Sequence, residues 1–337
     1  MKQRLLLAII TASLTACGGG GGGGSPSVVA RTNSGEAFIS VEGKSVSQLN
    51  NSADSLIQSA YSGNEDSATL AESDIADISF DVIRQVIIGG DLSALNASPS
   101  VEIPDLTPAF KSIGDFASAA QEYTLLTQSI EVDESDSCDN SGTLSIKGVL
   151  SDSGIGGLVV TFDNCSLGGV LFDGISAIYF HDAFGDTASI YYDEMSITTG
   201  GQTFEMTGRI LDDPFTSFGD REYISDLVLV NTATGEEQRI EGWGEPAFTD
   251  QYWGIYYHDE LGYVEVNEGL SFVVSSTDVN GTLLLTNAAG HTLEIVFDAT
   301  DVTFRLDNNA DDIFDVQATV TKAAFFNDQA NLVFTPI

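Results

Sequence analysis

Gly142-Thr143-Leu144-Ser145-Ile146, a break at residues 151–157, and then Leu158-Val159-Val160-Thr161-Phe162 set the period of this chain at two. β-Branched and apolar residues alternating over five positions read as strands with one buried face. The short break makes the pair an antiparallel hairpin, because parallel neighbours need a crossover of a dozen residues or more. The pattern returns in Ala188-Ser189-Ile190-Tyr191-Tyr192, Leu227-Val228-Leu229-Val230, Leu293-Glu294-Ile295-Val296-Phe297 and Val302-Thr303-Phe304-Arg305-Leu306. Turn residues separate these runs at Gly168-Gly169, Gly200-Gly201, Asp212-Asp213-Pro214, Thr234-Gly235 and Asn280-Gly281. The spacing predicts a mainly β chain of the α+β class. Residues 136–337 form a large antiparallel system, a sandwich or a barrel-like sheet.

Upstream, residues 44–135 read as a small helical region packed on the β domain. Val46, Leu49, Ala53, Leu56, Ile57 and Ala60 recur at helical spacing and stop before Gly63. Ser73 is a candidate cap for a second helix with Ile75, Ile78, Val82, Val86 and Ile87 on one face, ended by Gly89-Gly90. Thr107-Pro108 has the form of an N-cap and first helical position, followed by Phe110, Ile113, Phe116, Ala120 and Tyr123. Apolar stripes of this kind are core contacts.

The first residues carry an address. Met1-Lys2-Gln3-Arg4 is basic, Leu5 to Leu14 is apolar, and Thr15-Ala16-Cys17 is small. An apolar run this short is an export signal and cannot span a bilayer as a helix. Leu14-Thr15-Ala16-Cys17 resembles the lipobox of bacterial lipoproteins. The resemblance implies cleavage after residue 16 and acylation of Cys17, and it implies the outer membrane, since Gly18 stands where inner-membrane lipoproteins of enteric bacteria carry Asp. The alternative is plain secretion with Cys17 a stray thiol. Residues 17–43 read as a tether: seven glycines from Gly18 to Gly24, then Ser25-Pro26-Ser27, make a flexible coil.

Export also bears on Cys138 and Cys165, which an oxidising compartment would bond. If residues 142–150 and 158–165 form the hairpin, the two cysteines flank it about equally. With no CxxC motif and no adjacent His, the pair reads as a structural staple.

The chain of 337 residues carries 50 acidic against 12 basic side chains, a net charge of −38. Removing residues 1–16 takes Lys2 and Arg4 with it and leaves 10 basic side chains, a net −40. That balance excludes nucleic acid as a partner, since phosphate binding needs a Lys/Arg footprint. It also excludes electrostatic docking on anionic lipid, so contact with the membrane runs through the N-terminal anchor. With 42% hydrophobic residues the chain can still bury a core.

One stretch has ligand-like spacing, and a second gathers aromatic rings with carboxylates. In Asp307-Asn308-Asn309-Ala310-Asp311-Asp312-Ile313-Phe314-Asp315, the side chains of Asp307, Asn309, Asp311 and Asp315 fall at loop positions 1, 3, 5 and 9. This resembles the short Asp-rich calcium loops of integrin-like β repeats, which implies Ca²⁺ as a cofactor. Asp312 stands where those loops carry Gly, and Ala318 excludes the usual EF-hand. The other reading is a solvated turn between two strands. Residues 243–263 contain both tryptophans, Trp243 and Trp253, with carboxylates Glu245, Asp250, Asp259 and Glu260. They suit either stacking on sugar rings or covering one face of a sheet.

HExxH, GxSxG and P-loop motifs are absent, and His181, His258 and His291 lie far apart. His181-Asp182 and His258-Asp259 read as surface polar pairs. A paired-carboxylate glycosidase stays open, because 50 carboxylates always include some pair at a workable spacing. The tether, the helices before Cys138, the hairpin closed by Asn164-Cys165, and the runs 260–266, 281–285 and 307–315 together resemble a type of proteobacterial surface lipoprotein. That likeness implies location and architecture, and no activity. The expectation is a non-enzymatic cell-envelope lipoprotein, a tethered binding or structural module whose protein or glycan partner the sequence does not name. The alternatives are an envelope hydrolase acting on glycans and a carrier of lipids or other hydrophobes.

Overall fold

The computed structural model describes residues 46–88, 130–138, 140–150, 155–167, 169–181, 188–199, 201–214, 221–245, 252–267, 272–274, 279–326 and 331–337. The export signal, Cys17, the tether, the stripe at residues 107–123 and Asp250 lie outside them. Among the described residues there are three helices: α1 (Val46–Ala60), α2 (Ile75–Ile88) and α3 (Lys322–Phe326). The strands run in chain order: β1 (Ile130–Ser137), β2 (Thr143–Leu150), β3 (Gly156–Leu167), β4 (Val170–Phe180), β5 (Ala188–Thr199), β6 (Gln202–Pro214), β7 (Arg221–Asn231) and β8 (Glu237–Glu245). They continue as β9 (Trp253–His258), β10 (Gly262–Val266), β11 (Phe272–Val274), β12 (Val279–Thr286), β13 (Thr292–Phe297), β14 (Asp301–Asp307), β15 (Val316–Thr321) and β16 (Thr335–Pro336).

All sixteen strands belong to one antiparallel sheet in which each pairs with the next, except that β10 pairs with β12 and β11 adds to β12 from the side. The antiparallel system behind a helical region is therefore present as expected. Its form is a single open meander whose ladder runs from β1 to β16 and is not closed into a barrel. β1 takes the last part of the stretch read as helical. In Ile130-Glu131-Val132-Asp133-Glu134-Ser135-Asp136-Ser137 the alternation gives way to acids and serines, which hides a strand from a hydrophobic pattern. Such a composition suits an edge strand, where charge discourages pairing with other chains.

One face of the sheet makes one continuous core. Cross-strand neighbours line up as Leu158, Ile178, Ile190 and Ile210, then Leu227, Ile240, Tyr256 and Val264, then Val266, Leu285, Leu293 and Leu306. All are buried in a single cluster with Ile75, Ile78, Val82 and Ile83 of α2 and Phe325 of α3. An apolar face this long is buried only if the sheet curls over it and helices fill the trough. The Phe325 ring closes one end against Phe80, Phe297, Phe304 and Phe326.

The curl has a visible device. Five ladders shift register, and in three of them two residues face a single polar side chain: β3 against Asp173, β5 against Thr207 and β8 against Asp226. The second residue of each bulge, Asn164, Glu194 or Gly242, has φ of 47°, 49° or 56°. In every case its amide donates to the side chain of the single residue opposite: Asp173 Oδ1 at 3.4 Å, Thr207 Oγ1 at 3.1 Å and Asp226 Oδ1 at 2.6 Å. Bulges bend a strand and increase its twist, so a repeated row of them turns the sheet along a line.

α1 covers the opposite, outer face. Its Leu49 and Ala53 pack with Ala177 and Tyr191, and its Ile57 packs with Val228 and Tyr257. Burying a Leu or Ile side chain stabilises by roughly 1.5–3 kcal/mol, which outweighs the helix's own weak tendency to form. α2 begins one residue later than a Ser73 cap requires. The Ile78 amide donates to the Asp74 carbonyl, while the Ser73 hydroxyl is turned onto the Asp74 carboxylate at 2.6 Å.

Candidate functional site

α1 lies outside the sheet and α2 inside it, so residues 61–70 must cross its rim. Strand β10 pairs with β12 at Glu265–Thr286 and Val266–Leu285. The linker fills the split below. The Ala68 amide donates to the Tyr263 carbonyl, the Tyr263 amide donates to the Asp66 carbonyl, and Asn287 Nδ2 donates to the Ala68 carbonyl. The linker acts there as a short inserted strand, parallel to β10 at Ser67–Tyr263.

His258 sits at this crossing, its side chain 13% exposed. Its Nε2 is 3.5 Å from Asp81 of α2, and its Nδ1 is 3.1 Å from Asp259 Oδ1. The same Nδ1 is an acceptor for the Glu260 and Leu261 amides at 3.1 and 3.2 Å. His258-Asp259, expected on the surface, is thus a half-buried hub, and its partner Asp81 comes from a helix far away in sequence. No local signal marks that contact.

His181 has a different setting. Its Nε2 lies 2.7 Å from Ser189 Oγ, a distance suited to a nucleophile and its base. The other contacts of this pair run toward α1. Tyr191 donates to Asn50 Oδ1 at 2.9 Å, and the Ser189 hydroxyl hydrogen-bonds the Tyr191 oxygen. Ser189 is also buried at 4% exposure, so the chain joins α1 to the sheet.

Arg239 makes a second tie across the outer face. Its guanidinium stacks over Tyr257 at 4.4 Å and pairs with Glu65 and Glu241, while Tyr257 donates to Glu241. Burial, then the hydrogen bond to Glu241 and that carboxylate's charge, push the Tyr257 phenol far above its usual pKa. Burial, then Asp259 and Glu237, do the same for Tyr61. Both phenols are neutral donors, unsuited to proton transfer near pH 7.

The two tryptophans do not form one platform. Trp243 is 1% exposed and belongs to the inner core. Trp253 lies on the other face, half-buried, with its ring laid over its cross-strand partner Gly244. A sugar ring cannot stack on both.

In the Asp-rich loop the candidate ligand side chains accept the loop's own amides. Asp307 is enclosed by the loop itself, and its carboxylate accepts the amides of Asn309, Ala310, Asp311 and Asp312 at 2.8–3.4 Å. Asp315 accepts the Asn308 amide and Asn309 Nδ2, and Asp311 accepts the Ile313 amide. Asp307, Asn309, Asp311 and Asp315 thus serve one another and the backbone. Among the described residues no group of three or more His, Cys, Asp or Glu side chains gathers as metal ligands. The physical reason is the left-handed backbone at Ala310 and Asp312, φ 59° and 65°, which turns successive amides inward onto Asp307. Burial pushes the Asp307 pKa up, the four amides push it down further, and the net is a carboxyl below the usual range.

Cys138 and Cys165 are bonded, with Cα atoms 5.4 Å apart. The bridge joins the β1–β2 turn to β3, and Gly142 allows the close approach. At φ +77° a Cβ there would meet the carbonyls of Asp163 and Asn164.

No protein-family model, curated protein or solved structure matches this chain.

Proposed function

We propose that the chain is a non-enzymatic lipoprotein of the cell envelope, a folded module held at the outer membrane by acylated Cys17 and the glycine tether. The observation that carries this reading is the N-terminal sequence, in which the export signal, Leu14-Thr15-Ala16-Cys17 and seven glycines follow one another directly. The non-enzymatic part is supported by how the candidate groups are used. His181 and Ser189 sit in the network that ties α1 to the sheet, Arg239 and Tyr257 in the one that ties the rim linker at Glu65 to it, and Asp307 shapes its own loop. The module's role is then binding or scaffolding through its surface.

The test is fractionation with acyl labelling. Cells expressing the chain and fed a clickable palmitate analogue should label it in the outer-membrane fraction, and Cys17→Ser should abolish the label and free the protein. Retention of unlabelled Cys17→Ser protein in the membrane overturns the reading.

One observation favours the hydrophobe carrier as a second reading. Ser79 Oγ, Tyr192 Oη and Trp243 Nε1 are fully buried within the inner core without a hydrogen-bond partner among the described residues. Unpartnered donors in an apolar interior suit a guest with an apolar body and an acceptor oxygen. Native mass spectrometry of protein purified without added lipid should then show a bound mass that solvent extraction removes.

A further inference from the structure

We infer that His258 is a protonation switch for the β9–β10 turn, exchanging two backbone hydrogen bonds for one ion pair. The argument rests on what a single ring nitrogen can do. His258 Nδ1 lies within hydrogen-bonding distance of two donors, the amides of Glu260 (3.1 Å) and Leu261 (3.2 Å). It lies equally close to an acceptor, Asp259 Oδ1 at 3.1 Å. A ring nitrogen with a lone pair serves the amides, and one with a proton serves the carboxylate. It cannot serve both.

The neutral ring is therefore the Nε2–H tautomer, with Nδ1 accepting from Glu260 and Leu261 and Nε2–H directed at Asp81. The protonated ring keeps Asp81 and turns Nδ1–H onto Asp259, and the two amides lose their acceptor. The charged groups placed against the ring are Asp81 from α2 and Asp259 from its own turn, and its cross-strand neighbour on β8 is the uncharged Gln238.

The exchange reaches beyond the turn, because the rim linker holds the same residues from the other side. The Asn64 amide donates to the Asp259 carbonyl at 2.7 Å, and Asn64 Nδ2 donates to the Glu260 carbonyl at 3.0 Å. Movement of Glu260 and Leu261 on protonation is passed to residues 64–68, the inserted segment that fills the split between β10 and β12. Acidification thus loosens the seam at which the chain crosses from the outer face to the inner one.

The experiment is a pH titration of the ¹⁵N-labelled full chain between roughly pH 5 and 8, the range in which histidine ordinarily changes charge. Ring-nitrogen shifts should give the Nε2–H tautomer at the high end. The Glu260 and Leu261 amides should move with the same midpoint as the ring, and their protection factors, corrected for the intrinsic pH dependence of exchange, should fall about tenfold on the acid side. The Ala68 amide should follow. In His258→Asn, whose side-chain oxygen can still accept the amides, these resonances should stop titrating in step. A neutral Nδ1–H tautomer, a ring that does not titrate, or amides that stay still while it does would each overturn the switch.

Discussion

Asp226 on β7 accepts the Gly242 amide at 2.6 Å with one carboxylate oxygen and the Arg209 Nε–H at 2.8 Å with the other. One side chain thus closes the bulge on β8 and holds the cation that reaches Asp54 of α1 at 3.1 Å. The sheet's curl and the docking of α1 meet in this carboxylate, which is 17% exposed. Asp226→Ala leaves a left-handed amide and a guanidinium without their acceptor, and should cost about 2–4 kcal/mol. Asp54→Ala removes a half-exposed partner and should cost less than about 1 kcal/mol. Urea unfolding of the two variants checks the ranking. Equal losses would show that the bulge contact contributes nothing.

Asp307 gives a prediction with a pH sign. Its folded pKa lies below the ordinary 3.8, so the unfolded chain takes up the proton first as pH falls. The stabilisation is fully present above the unfolded value and is lost as pH drops through the folded one. Asp307→Asn should destabilise by about 1–3 kcal/mol at pH 7, and the difference from the parent should shrink below about pH 4. Because the loop carboxylates are turned onto amides, millimolar Ca²⁺ should shift the melting temperature of the parent no more than that of the variant. A calcium-dependent rise confined to the parent would show that the loop binds the ion.

What could be read beforehand follows the range of the interactions. The α1 stripe from Val46 to Ala60 and the hairpin pairing Thr143 with Asp163 depend on local period and turn length, and both were legible. The open form of the sheet was not, because alternation fixes which face a residue takes and says nothing of how a sheet ends. The bulges had a faint local mark: Asp163-Asn164, Asp193-Glu194 and Glu241-Gly242 each place an acid before a residue of positive φ inside an apolar run. Asp81 against His258, and Asn50 against Tyr191, had none, since each joins a helix to a strand through the whole fold. The spacing of the Asp-rich loop was legible as a pattern, but its hydrogen bonds were not. Alternating oxygens suit a cation or a row of inward amides equally, and the left-handed backbone at Ala310 and Asp312 is what turns the amides onto Asp307.

The disulfide closes a loop of 27 residues, and the chain-entropy model gives such a loop about 3–4 kcal/mol. Cys138→Ser with Cys165→Ser should lower stability by that order. Thiol labelling of the denatured, unreduced chain should leave both cysteines unmodified, whereas labelling of either would show the bond is not formed. The bridge ties the β1–β2 turn to β3, so the loss should appear first as faster hydrogen exchange in β1, the acidic edge strand.

The tryptophans provide a test of which face each occupies. Trp243 is enclosed by the core and Trp253 rests on Gly244 at the outer face, so their fluorescence should separate. Trp253→Phe should leave one emitter at short wavelength that acrylamide scarcely quenches. Trp243→Phe should leave one at longer wavelength, readily quenched. Gly244→Ala then acts on a single component. A Cβ at Gly244 would overlap the Trp253 ring, and relieving that overlap should cost about 1–3 kcal/mol. The displaced ring should become more exposed, shifting only the Trp253 emission while the Trp243 signal holds. If Gly244→Ala moved both emissions together, the two rings would share one environment, and the glycan platform that their separation argues against would be open again.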